Sequence, residues 1–230
     1  MSDFMLHCFA ESGNAYKVAL LMEVSGLRWT PVDVDFFNGQ TRTAQWRETA
    51  NEMGEVPVLY HRGLRLTQSG VILHYLSDIV GRYGGRDEAE KREIWRWILF
   101  DNHKFTSYFV THRWMRYFAD PKGHPEVLSF LRSRVDAALA IVEKRLASSP
   151  FLIGDSMTIA DFSLIGYLYF PSEETGYDLS KSHPSIWRWI QRIRELPGWK
   201  HPYELLPKTR FRIFEPSTVG PVLETIGGSA

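Results

Sequence analysis

The dipeptide Val56-Pro57, at the head of the apolar run Val58-Leu59-Tyr60, constrains this chain more than any other stretch. Proline lacks an N–H and cannot sit inside a ladder, so it belongs at a strand's first residue or at a bulge. The X-Pro bond is also the one peptide bond that readily takes the cis form. A strand opened this way leaves the backbone of Val56 able to pair with an extended segment from outside. Thr67-Gln68-Ser69-Gly70 follows at the entry to a helix, where side-chain hydrogen bonds and the helix N-terminus favour a carboxylate. Together the two stretches outline half of a cleft suited to a small peptide with a free acid group.

The surrounding pattern alternates strand and helix. Residues 5–9 read as a first strand, and Glu11-Ser12-Gly13-Asn14 is turn chemistry. From Ala15 the period becomes helical, with Val18, Leu21, Met22 and Ser25 on one face and Gly26 as the stop. Residues 29–36 read as a second strand, and the polar stretch 38–51 predicts a loop with a short helix near 44–48. A third strand over 56–60, a turn at His61-Arg62-Gly63, a fourth strand over 64–67 and a helix over 69–80 complete the set. The order β-α-β-α-β-β-α predicts a mixed four-stranded sheet, a parallel βαβ unit followed by an antiparallel hairpin.

After a Gly- and Arg-rich linker at 81–87, strand signals stop. Periodic segments over 88–118, 126–148, from Thr158 onward, and over 185–196 predict an all-helical second domain. The fold class is α+β, with domains at 1–81 and 88–210 and an irregular C-terminal extension at 211–230. The pentads Ile94-Trp95-Arg96-Trp97-Ile98 and Ile186-Trp187-Arg188-Trp189-Ile190 read as helix faces that set Trp against the core. Thr158 with Asp161 three residues on reads as a capping box.

Composition narrows the function. Lys+Arg and Asp+Glu are both 27 in 230 residues, so the formal net charge is zero, which argues against a nucleic-acid partner. Cys8 is the single cysteine, so neither an intrachain disulfide nor a cysteine-based metal cluster can form. The eight histidines show no metal-ligand spacing, and no metal is expected. No run approaches the roughly 18 apolar residues of a membrane span, and residues 1–4 lack a signal-peptide pattern. A cytoplasmic protein with no membrane partner is expected.

Four ordered motifs make the pattern specific: Ser12-Gly13-Asn14; Asn51 with Gly54-Glu55-Val56-Pro57; Gln68-Ser69; and Phe151-Leu152-Ile153-Gly154-Asp155 leading into Thr158-Ile159-Ala160-Asp161. In these the chain, over roughly residues 4–205, resembles the cytosolic glutathione transferase family. One departure is Glu52, where the family often has proline. The resemblance implies a thioredoxin-like first domain that binds glutathione, a cis Pro57, a homodimer, and glutathione as cosubstrate without a metal. It implies Ser12 or Asn14 as the group that stabilises the glutathione thiolate, with Ser12 first. Cys8, inside the apolar strand, and Tyr16, on the first helix, are weaker candidates.

On the same basis Glu55, Val56 and Pro57 hold the cysteinyl part of glutathione. Gln68 and Ser69 hold the γ-glutamyl end, with an extra acid such as Asp101 available for its amine. Gln40 and Arg42 are the groups available for the glycyl carboxylate. Arg113, Trp114 and Tyr117 are the candidates for contact with an electrophile. The activities these residues allow are conjugation of glutathione to an electrophile, glutathione-dependent reduction of a disulfide or peroxide, or binding without turnover.

Overall fold

In the computed structural model, which describes residues 4–207, the first strand lies inside the sheet. β1 (Phe4–Cys8) buries Phe4, Leu6 and Cys8 and exposes Met5. It pairs in parallel with β2 (Trp29–Asp33) and antiparallel with β3 (Val58–His61), which pairs antiparallel with β4 (Leu64–Thr67). The order is β2-β1-β3-β4, the mixed arrangement of a thioredoxin-like sheet. Pro31 is confined to the edge strand β2, where a missing donor is tolerated. The Val56–Pro57 bond is cis, and β3 starts just beyond it rather than at Val56.

Between β1 and β2 runs α1 (Gly13–Val24), followed after β2 by α2 (Ala44–Thr49); α3 (Ser69–Val80) follows β4. α1 begins at Gly13, ahead of the expected Ala15, because Ser12 caps it: Ser12 Oγ accepts from Ala15 N at 3.1 Å. Residues of α1 are buried on nearly every face, the mark of a helix sandwiched in a core.

The chain then becomes helical: α4 (Glu88–Phe100), α5 (Thr106–Arg113), α6 (Pro125–Leu146), α7 (Ile159–Ile165), α8 (Ser172–Thr175), α9 (Leu179–Ser182), α10 (Pro184–Arg194) and α11 (Pro202–Leu205). The segment expected as one helix over 88–118 is broken by two π-helical turns, Asp101–Phe105 and Trp114–Phe118. Each widened turn changes which side chains face the sheet domain. The first brings Asp101 into the interior, where it accepts from Lys17 Nζ at 2.7 Å and from Thr106 Oγ1 and Ser163 Oγ at 2.6 Å each. The second brings Trp114 and Phe118 against Phe37. Of the two Trp-rich pentads, one tryptophan in each is core: Trp97 and Trp189 are buried, whereas Trp95 is exposed. No helix among the described residues is long and apolar enough to cross a membrane.

The capping box is present. Asp161 accepts from Thr158 N at 2.8 Å and Thr158 Oγ1 from Ala160 N at 3.3 Å. Asp161 also accepts from Leu152 N and Trp189 Nε1, each at 3.0 Å, and so ties the 151–155 loop and α10 to the start of α7. Burial pushes its carboxyl up to about 6, against the pull of these donors. Thr158→Ala removes the cap and the hydroxyl's donation to Asp161, and is expected to cost about 0.5–2 kcal/mol in denaturant unfolding. Asp161→Asn turns an N–H toward donors that now find an acceptor, and is expected to cost about 2–4 kcal/mol. Equal losses would mean that the contacts beyond the cap contribute nothing.

Candidate functional site

Ligands of such sheets bind beyond the carboxyl ends of the parallel strands, and here β1 delivers Phe9 to Asn14 into that region. Ser12 is buried, and its cap uses an oxygen lone pair only; its O–H has no acceptor among the described residues. The proton therefore remains available to a ligand. Asn14 is the second residue of α1, in its first turn, and its buried Oδ1 accepts no hydrogen bond among the described residues. Both side chains lie at the positive end of α1, where an anion is favoured.

Two cavities meet there. A narrow polar slot of about 30 Å³ is lined by Asn14, Asn51, Glu55, Val56, Pro57, Gln68, Ser69 and Asn102. Asn51 shapes it: its Nδ2 donates to Glu55 O at 3.0 Å and its Oδ1 accepts from Met53 N at 3.0 Å. Both bonds form with Glu52 in place, so the loop does not need proline there. Val56 makes no backbone hydrogen bond among the described residues. Gln68 has φ 65 and ψ 116, a backbone that costs a non-glycine residue about 1–3 kcal/mol and is found mostly at functional sites. Its Nε2 donates to Glu55 Oε2 at 3.1 Å, and Ser69 opens α3 beside it.

The second cavity, of about 250 Å³, is an aromatic chamber. Phe9, Phe36, Phe37, Trp114 and Phe118 line it, with Val110 and Tyr167. Phe9 stacks on Phe36 at 4.4 Å between centroids, and Phe37 stacks on Trp114 at 5.7 Å. Ser12 lines this chamber, and Asn14, Glu55 and Val56 line both cavities. A peptide held in the slot would thus present a side chain at Ser12 to whatever fills the chamber.

Residues 4–78 match the family model described as glutathione S-transferase, N-terminal domain, and residues 105–197 match glutathione S-transferase, C-terminal domain. The chain belongs to the glutathione S-transferase family. It is 28% identical over 208 residues to glutathione S-transferase F14 of Arabidopsis thaliana, covering 86% of this chain and 82% of that one. It is 24% identical to the disulfide-bond oxidoreductase YfcG of Escherichia coli, covering 83% and 90%. A crystal structure of a glutathione S-transferase from Pseudomonas fluorescens superposes with a TM-score of 0.79 at 29% identity, covering 87% of this chain and 99% of that one.

Within this chain the structure brings Ser12, Asn14, Glu55, Val56, Pro57, Gln68, Ser69 and Trp114 around the two joined cavities. Gln40 and Arg42 stand outside both; Gln40 Oε1 accepts from Asp35 N at 2.6 Å within its own loop. Three expectations need correction. Asp101 is fully buried in its pair with Lys17, so it cannot meet a ligand amine; its neighbour Asn102 lines the slot instead. Arg113 reaches the chamber wall, but its guanidinium is paired with Glu174 and donates to Glu11 O at 2.7 Å, so it offers no free cation. Tyr117 does not line the chamber and packs on Phe118.

Phe9, Phe36, Phe37, Phe118, Asn102 and Tyr167 were not anticipated. The doublet Phe36-Phe37 just past β2 was the available signal, since that is where a parallel strand ends. Tyr16 is buried and donates to Lys200 O at 2.9 Å, away from both cavities. Cys8 is buried in β1, and burial, aided by Asp33, pushes its thiol up to about 12. The native protein is therefore expected to resist iodoacetamide at mildly alkaline pH and to be alkylated once only in denaturant, as read by mass spectrometry; rapid native labelling would put a reactive thiolate back in play.

Proposed function

We propose that this chain catalyses the attack of the glutathione thiolate on an electrophile held in the aromatic chamber. The observation that carries this reading is the junction of the polar slot and the apolar chamber at Ser12 and Asn14. Val56 pairs its backbone with the cysteinyl residue as an added strand would, with Glu55 and Pro57 shaping that edge. Ser69 and the first turn of α3 take the γ-glutamyl carboxylate, and Gln68, held by Glu55, faces its amine. The glycyl carboxylate falls to the loop that carries Gln40 and Arg42.

A free cysteine thiol titrates near 8.5, and each unit of depression requires about 1.4 kcal/mol. Ser12, whose O–H is uncommitted at the positive end of α1, supplies a charge-assisted donor to the sulfur. Asn14 is the second amide within the same turn. The stacked rings around Trp114 suit a planar, apolar electrophile. Ser12→Ala is expected to lower kcat/KM by about 10- to 1000-fold, and Ser69→Ala to raise KM for glutathione. An unaltered rate in the first variant would pass the role to Asn14.

A second reading, glutathione-dependent disulfide reduction, is favoured by the resemblance to YfcG and by the fact that Ser12 activates a thiolate whatever it attacks. Assay with a chloronitrobenzene and, separately, with the mixed disulfide of glutathione and hydroxyethanethiol separates the two. Turnover of the disulfide alone would select reduction; turnover of neither, without a glutathione-induced thermal shift, would leave only a binding module.

We also propose a homodimer. Val71 and Ile79 on α3 and Trp95 and Leu99 on α4 are exposed apolar residues, and the His74–Trp95 ring contact joins the two helices. Leu99→Asp is expected to convert a dimer to a monomer in light scattering; a monomeric parent protein would overturn the assignment.

A further inference from the structure

Gly13 stands between Ser12 and Asn14, and no side chain fits there. A Cβ would lie 2.6 Å from Cδ2 and Cε2 of Tyr167 and 2.6 Å from the carbonyl oxygen of Gly166. Gly166 is constrained in return, since its own Cβ would lie 2.7 Å from the carbonyl oxygen of Gly13. The two glycines let the start of α1 and the end of α7 meet backbone to backbone, and they seat the Tyr167 ring against the first turn of α1. Phe109 and Phe170 flank that ring, at 6.4 and 5.9 Å between centroids. Tyr167 is only 3% exposed, yet it lines the chamber with Ser12 and Asn14.

The hydroxyl of Tyr167 has no acceptor among the described residues, and the backbone N–H groups of Asn14 and Gly13 favour charge on its oxygen. Burial outweighs them and pushes the phenol up to about 12, so it keeps its proton at neutral pH. Two other charged groups act on it: Arg113, 5.8 Å from the ring and tied to Glu174, favours the anion, and Asp101 opposes it. Glu11 and Glu55 line the same chamber. A protonated hydroxyl at the first turn of α1, without an acceptor of its own, matches an incoming anion.

From this contact of the two halves we infer that Tyr167 is a catalytic residue, its O–H donating to the glutathione sulfur opposite Ser12. The helical half of the molecule then supplies one thiolate donor and the sheet half the other. The inference rests on the glutathione site argued above.

The test compares the parent protein, Tyr167→Phe and Ser12→Ala, each saturated with glutathione, by ultraviolet thiolate absorbance against pH and by the pH profile of kcat/KM. Tyr167→Phe keeps the ring against Gly13 and is expected to retain the glutathione-induced thermal shift. Its thiolate-forming pKa is expected to rise by about one unit, a tenfold loss of kcat/KM below neutral pH. Fluorotyrosine at 167, a stronger donor with the ring retained, is expected to move that pKa the other way. A thiolate pKa and pH profile unchanged in both Tyr167 variants, with the parent's bound thiol depressed, would overturn the inference and leave the glutathione site standing. A parent protein that binds no glutathione, or leaves the bound thiol at its free value, would overturn both.

Discussion

A lysine ammonium with no exposure lies 2.7 Å from a carboxylate with none, and the placement of the site depends on that pair. Removing such charges from water costs several kcal/mol each even after relaxation, so Lys17 and Asp101 are a poor choice for stability alone. Breaking the pair by removing one partner costs about 3–5 kcal/mol, because the other charge is then stranded. What the pair does is fix register. Lys17 lies on α1 one turn past Ser12 and Asn14. Asp101 opens the π-helical turn that carries Asn102 to the slot. Ser163, which donates to Asp101, lies on α7 just ahead of Gly166 and Tyr167. Gly166 belongs to the same arrangement, since a Cβ there would lie 2.6 Å from Lys17 Cε. One buried charge pair therefore aligns three chain segments on one small volume.

That volume joins a polar slot to an aromatic chamber, which sets the chemical problem. Cys8 shows the direction of burial on a thiol: with Asp33 adding to it, burial pushes it up to about 12. A glutathione sulfur entering the aromatic chamber would meet a desolvation penalty of the same sign. Its thiolate is favoured only if donors there outweigh desolvation, and each tenfold gain in thiolate needs about 1.4 kcal/mol. The N-terminus of α1 offers a partial positive charge, worth about 0.3–1 kcal/mol at an exposed helix end and up to about 2 when partly buried. Ser12 adds a hydroxyl whose oxygen already serves the helix and whose proton has no acceptor among the described residues. In the proposed reaction capping and activation would be two uses of one hydroxyl.

Much of this was legible in the chain. The β-α-β-α-β-β-α order followed from alternation, from Pro57 as a strand opener and from glycine stops, all of which act locally. Ser12, Asn14, Gln68 and Ser69, expected from the family resemblance, do line the two cavities. The π-helical turns were not legible, since the apolar period of 88–118 runs through them and what they contact, such as Lys17 against Asp101 and Phe37 against Trp114, lies far away in sequence. Arg113 and Asp101 were misread for a like reason: their types suit a substrate surface, but buried partners far away in sequence, Glu174 and Lys17, hold them. Tyr117 packs on its neighbour Phe118 instead. Gly13 was legible only as a turn residue. Its actual constraint is Tyr167, which the sequence keeps more than 150 residues away.

The two walls of the chamber are held unequally, and this bears on what it admits. On one side Arg113 donates to the carbonyl of Glu11, pairs with Glu174 and donates to the Tyr203 hydroxyl at 3.2 Å, while Tyr203 donates in turn to Glu174 at 2.8 Å. Its guanidinium carbon also lies 3.8 Å from the centre of the Phe170 ring. This buried network fixes the backbone immediately before Ser12 to the helices. On the other side Phe36 and Phe37 are half-buried loop residues that stack on Phe9 and Trp114. Ring stacking is weakly directional, with each pair worth about 0.5–1.5 kcal/mol beyond burial. A ligand that replaces one stack with another loses little. In the proposed reaction, this geometry would set a firmly held attacking atom against a more yielding apolar wall, which suits electrophiles of different outline.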